Sequence, residues 1–118
     1  METVELKQRF KEFSLRVIQL YARLPKNDVV AQIIGKQVLR SATSVGANYA
    51  EASRSRSKNE FAAKTGDSLK EIVETHYWFE LLVESGITTA QKMADLLDET
   101  DQLTAILTSI NKKAKSTD

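Results

Sequence analysis

The chain has no cysteine, one proline, one histidine and one tryptophan among its 118 residues. Without cysteine, disulfides, thiol nucleophiles and thiolate-ligated metal are all excluded. A lone histidine, His76, cannot furnish a histidine metal centre unless several subunits pool their residues. With only Pro25 and four glycines there are few places to turn, which implies long helices joined by short connections. No excess of either charge is present: 17 basic residues against 16 acidic ones give a formal net charge of +1. A domain built around nucleic acid usually carries a clear basic excess, so any such contact here has to be a local patch. No stretch approaches the ~18–20 apolar residues of a membrane span, and residues 1–5 lack the basic start and apolar run of a signal peptide. The expectation is a cytoplasmic protein with no membrane contact.

What remains is 42% hydrophobic and 28% charged, the balance of an ordinary folded domain. The length fits one domain spanning residues 1–118. Leu6, Phe10, Phe13, Val17, Leu20 and Leu24 follow one another at steps of four and three, the seam of a packed helix. Pro25 ends it, and Asn27 or Asp28 can cap the next. Ser57-Lys58-Asn59-Glu60 reads as a capping box, in which each end residue satisfies the other's amide. Gly86 suits a left-handed helix terminus, and Thr88-Thr89-Ala90-Gln91 offers a second capping box. Met93, Leu96, Thr100, Leu103, Leu107 and Ile110 repeat the seam, and the lysine-rich tail from Lys112 is expected to fray. The spacing predicts helices near 3–24, 28–53, 58–85 and 89–114. Short connections make neighbours antiparallel, so the fold class is an all-α, up-down-up-down four-helix bundle.

The second helix sorts into three stripes at ~100° per residue. Ile34, Val38, Val45 and Tyr49 form a core arc, while Gly35, Gly46, Ala50 and Ser53 form a small-residue arc that admits a close backbone. Arg40, Ser41, Ser44, Asn48 and Glu51 form a polar stripe. A solvated face is the usual meaning of such a stripe, but serine and asparagine are weak helix formers for that purpose. They are better explained as a structural polar network bonded to another helix or subunit, with bridging groups between Arg40 and Glu51.

On the third helix Phe61, Ile72, Phe79 and Leu82 make a core face, with Leu69 and Val83 at its margin. Tyr77, Trp78 and Leu81 point roughly the other way, because three consecutive aromatics span about 200° of helix. That group reads as an oligomer interface, where tryptophan and tyrosine are enriched. His76 reads as a hydrogen-bonded residue at the core margin.

The run from Leu39 to Ala52, followed by Ser57-Lys58-Asn59-Glu60-Phe61, resembles a bacterial four-helix-bundle family that includes proteins encoded in intervening sequences of 23S ribosomal RNA genes. Arg40, Ser41, Ser44, Asn48, Glu51, Ser57, Glu60 and Phe61 match its pattern, and residues 70–82 are similar to its third helix. Ala52 and Ser53 depart from it, standing where many members carry a glycine after the glutamate. The resemblance implies a homo-oligomer, in the form of a pentameric ring. The chain is also similar to retroelement accessory variability proteins, rings that bind nucleic acid and a reverse transcriptase through a strongly basic surface.

Two functional readings stay open. One is a non-enzymatic oligomeric interaction module that contacts RNA or a nucleoprotein through Arg54, Arg56, Lys58 and Lys64, repeated around a ring. The other is a structural or protein-binding adaptor without nucleic acid. An enzyme is the weakest reading: there is no P-loop, nucleophile elbow or dinucleotide fingerprint. The Glu74-Thr75-His76 spacing also misses the Glu-x-x-His of a di-iron bundle. No catalytic residue, metal, cofactor or small-molecule substrate is expected.

Overall fold

Four helices make up the regular structure of the computed structural model, which describes residues 3–116 and side chains from Glu5 onward. They are α1 (Thr3–Arg23), α2 (Val29–Ala52), α3 (Lys58–Glu84) and α4 (Ala90–Lys115), and no strand occurs among the described residues. Each helix after the first starts on a side-chain oxygen that accepts a free amide. Asp28 accepts from the Ala31 N–H, Ser57 from Glu60 and Thr89 from Lys92. Two details differ from the expected capping boxes. The Glu60 carboxylate takes the Arg56 N–H at 3.3 Å rather than that of Ser57. The cap of α4 is Thr89, which moves Gln91 out of the position that would close a box from Thr88. Gly86 ends α3 with φ +83°, the left-handed conformation for which glycine has no steric penalty. The helix of α4 continues to Lys115 instead of fraying from Lys112, helped by the cations in its last turn and by Lys58, whose Nζ donates to the Ser116 carbonyl. Met1, Glu2, Thr117 and Asp118, the two ends of the expected domain, lie outside the described residues.

The connections are five residues each (24–28, 53–57 and 85–89), too short to do anything but reverse the chain. Successive helices therefore pack side by side and antiparallel. The α1–α4 side closes the bundle most loosely, and α1 with α3, like α2 with α4, stand at diagonal corners. The molecule measures 51 × 21 × 21 Å.

The core runs the length of the bundle. Leu6, Phe10, Phe13 and Val17 enter it from α1, with Leu20 half-buried, and Leu24 enters from the connection that follows. The arc Ile34, Val38, Val45 and Tyr49 enters from α2, and Ile72, Phe79 and Leu82 from α3, with Phe61 half-buried. From α4 come Met93, Leu96, Leu103 and Leu107. The small arc of α2 meets α1: a Cβ at Gly35 would lie 2.6 Å from Leu24 Cδ1 and 3.0 Å from Tyr21 Cδ1. Ser41, Thr65, Ser68, Thr75, Thr100 and Asn111 are the buried polar residues among those described. Asn111 is buried where the period leads past Ile110, and its amide donates to the Ala62 carbonyl at 2.9 Å and to Thr65 Oγ1 at 3.0 Å. Those bonds offset the desolvation of the amide.

Candidate functional site

The polar stripe of α2 lies against α3, but it does not form one network. Arg40 Nη1 lies 3.3 Å from Glu71 Oε1, and its Nη2 pairs with Glu74. The Glu74 carboxylate also accepts the Trp78 indole N–H at 2.9 Å. That indole bond, and then the bond from Arg40, hold the Glu74 carboxyl below its ordinary range; the same pairing raises the Arg40 guanidinium further. Ser41 is fully buried, accepts the Thr75 hydroxyl at 2.8 Å and directs its own proton towards the Val38 carbonyl. Ser44 turns back to the Arg40 carbonyl at 2.7 Å. Glu51 pairs with Lys64 at 2.7 Å. Asn48 is half-buried and makes no side-chain hydrogen bond among the described residues. About 16 Å of helix axis separates Arg40 from Glu51, and no bridging groups connect them among the described residues. Arg40, Ser41 and Glu51 thus make separate α2–α3 cross-links, and Ser44 and Asn48 make none among the described residues. Ser68, which the stripe pattern leaves out, adds another by donating to the Val45 carbonyl at 2.7 Å.

The aromatic group divides in the same way. Tyr77 is 54% exposed and meets Trp78 edge-on at 5.3 Å, but Trp78 and Leu81 pack against the core margin. Glu74, one turn earlier on α3 and paired with Arg40 of α2, accepts the Trp78 indole hydrogen. Other large apolar side chains are more open: Val73 on α3, Val29, Val30 and Ile33 on α2, and Leu15 and Ile18 on α1. Their signal in the sequence is their position off the core arcs. Arg9 makes a contact that no local sequence pattern marks. Its Nε and Nη2 grip both oxygens of Glu99 at 2.8 Å, and Nη2 also reaches Gln102 at 2.8 Å, clamping α1 to α4. His76 sits half-buried between Glu80 and Asp101, 3.6 Å from each.

The basic residues gather at one end. Arg54 and Arg56 are exposed on the α2–α3 turn, and Lys58 is exposed at the start of α3. Lys64 is instead held by Glu51, and its ammonium is stabilised by that bond. Antiparallel packing brings Lys112, Lys113 and Lys115, the last turn of α4, to the same end. The end of the bundle formed by residues 5–11, 46–68 and 105–116 holds ten basic and four acidic residues, a net +6. The remainder, residues 12–45 and 69–104, holds seven basic and ten acidic residues, a net −3. Glu2 and Asp118, outside the described residues, complete the total of +1.

Antiparallel helices with short turns, a polar α2–α3 seam and a charged end define a small all-α four-helix bundle. The model of the family described as 23S rRNA-intervening sequence protein matches residues 2–109. A crystal structure of a protein of unknown function from the S23 ribosomal protein family of Bacteroides thetaiotaomicron is similar at 35% identity. The match has a TM-score of 0.87 and covers 95% of this chain and 99% of that one. The chain belongs to the 23S rRNA-intervening sequence protein family. Among curated proteins nothing matches. No helix among the described residues is long and apolar enough to cross a membrane.

Proposed function

We propose that this protein is a non-catalytic, self-associating recognition module of the bacterial cytoplasm whose basic end grips the phosphate backbone of RNA. The observation that carries this reading is the segregation of charge along the bundle. Arg54, Arg56, Lys112, Lys113 and Lys115 are exposed at one end together with Lys58, which also donates to the Ser116 carbonyl, whereas Lys64 is engaged by Glu51. Phosphate contacts of this kind are long-ranged and independent of sequence. A ring of copies, such as a pentamer, repeats the end into a multivalent rim, so modest single-copy affinity suffices.

The test is a salt titration of binding to a fluorescent RNA oligonucleotide, comparing the parent with Arg54→Ala/Arg56→Ala. The logarithm of the parent's affinity is expected to fall linearly with the logarithm of salt, and the slope to shrink by about one per lost contact. Binding that ignores salt, or none at low salt, overturns the reading. In that case the alternative is a protein-binding adaptor without nucleic acid, a reading supported by the exposed apolar side chains of α2 and α3.

A further inference from the structure

We infer that the basic end also holds a site for an unpaired RNA base, in an apolar groove lined by Phe61 and Ile110, so that the RNA it takes is single-stranded. This rests on the proposed contact with phosphate and adds which form of RNA fits.

The first observation is incomplete burial. Phe61 and Ile110 stand where the spacing of α3 and α4 assigns them to the core, yet both are half-buried. At Ile110 the cause is its neighbour, since Asn111 takes the core position and is held there by the Ala62 carbonyl. Both side chains line one groove of about 560 Å³, together with the half-buried Ile106 and the buried Leu6 and Tyr49. A volume of this order, lined mainly by apolar and aromatic groups, is what small planar ligands occupy.

The second observation is charge. Every residue lining the groove falls within the segments that make up the net +6 end, and the charged one among them is Lys113. Lys112 and Lys115 share the last turn of α4 with it. An occupant that fits both features is apolar inside the groove and anionic where it leaves.

The number of cations selects the kind of occupant. Six exposed basic side chains far exceed what the single carboxylate of a fatty acid engages, whereas a phosphate backbone meets several of them together. In an acidic peptide the charged and the aromatic residues compete for the same positions, while every nucleotide carries both a phosphate and a ring. A duplex keeps its bases stacked and paired, so none can enter. An unpaired nucleotide can turn its base out and lay it against an aromatic side chain.

Fluorescence anisotropy tests this with three labelled ligands of equal length: an oligouridylate, an abasic strand with the same phosphates, and an RNA duplex. The oligouridylate is expected to bind about tenfold more tightly than the abasic strand, the scale of one stacked base, and with the same salt slope. Phe61→Leu, which removes the ring and keeps an apolar side chain, should erase most of that difference. Ala105→Met narrows the groove from an exposed position of its lining and should do the same, which guards against a folding defect at Phe61. Neither variant should change affinity for the duplex, while Arg54→Ala/Arg56→Ala should weaken all three ligands. An abasic strand that binds as tightly as the oligouridylate, or a difference that survives both groove variants, overturns the base site and leaves the phosphate contact standing. Ligands that all fail to bind, or that bind without salt dependence, remove the phosphate reading and the base site with it.

Discussion

Along the α2–α3 seam the buried residues that touch are small and hydroxylated, whereas α1 is attached through phenylalanines and branched side chains. Ser41, Ser68 and Thr75 let α2 and α3 approach closely and direct their protons to named acceptors across or along the seam. Phe10, Phe13 and Val17 secure α1 by area, and Arg9 adds a clamp at the margin. The first kind of contact is directional and fixes register. The second contributes more free energy per residue and tolerates some sliding, since the hydrophobic effect has no direction.

The largest effect should come from the α1 side. Phe13→Ala is expected to cost about 3–5 kcal/mol in denaturant unfolding, the range for emptying a buried aromatic site. A loss below ~1 kcal/mol would mean that α1 is not anchored by its aromatics.

Next comes Thr75→Val, which preserves shape but leaves the buried Ser41 oxygen without its donor. About 1–2 kcal/mol should be lost, and Thr75→Ser should recover part of it. If valine is neutral, the hydroxyls of this seam act as spacers and their hydrogen bonds add nothing.

The smallest effect concerns the exposed edge of the same seam. Glu74 has a lowered pKa, so its ionised form is favoured by the native state. Its contribution is present above the ordinary carboxylate value of 4.5 and is lost as the pH falls through the depressed native value. Trp78 emission should therefore change below about pH 4.5, and Glu74→Gln should flatten that response. With the Arg40 and Glu74 side chains 48% and 38% exposed, stability should move by less than about 1 kcal/mol.

The helices and their core were legible because both depend on near neighbours. Seams at steps of three and four on α1 and α4, with apolar arcs on α2 and α3, give the buried faces, and Asp28, Ser57 and Gly86 mark helix ends within a few residues of themselves. Partners distant in sequence were not legible. Nothing near Arg9 points to Glu99, ninety positions away, and nothing near Lys64 shows that Glu51 will take its charge. The polar stripe was recognisable as more than a wet surface. Its division into separate links depends on the register of α2 against α3, which a single-helix projection does not contain. Asn111 was hidden for a related reason: its partners Ala62 and Thr65 belong to another helix.

The uneven spread of charge along the bundle has a consequence for how the molecule behaves near a surface. At physiological ionic strength the screening length is about 8 Å, several times shorter than the 51 Å long axis. A heparin bead or an anionic polymer therefore senses whichever part of the molecule is nearest and is blind to the total. Retention on such a matrix should exceed what a protein of net charge +1 would show. The adsorbed molecules should stand upright on their Arg54 and Lys112 end, holding the acidic flanks of α3 and α4 away from the matrix.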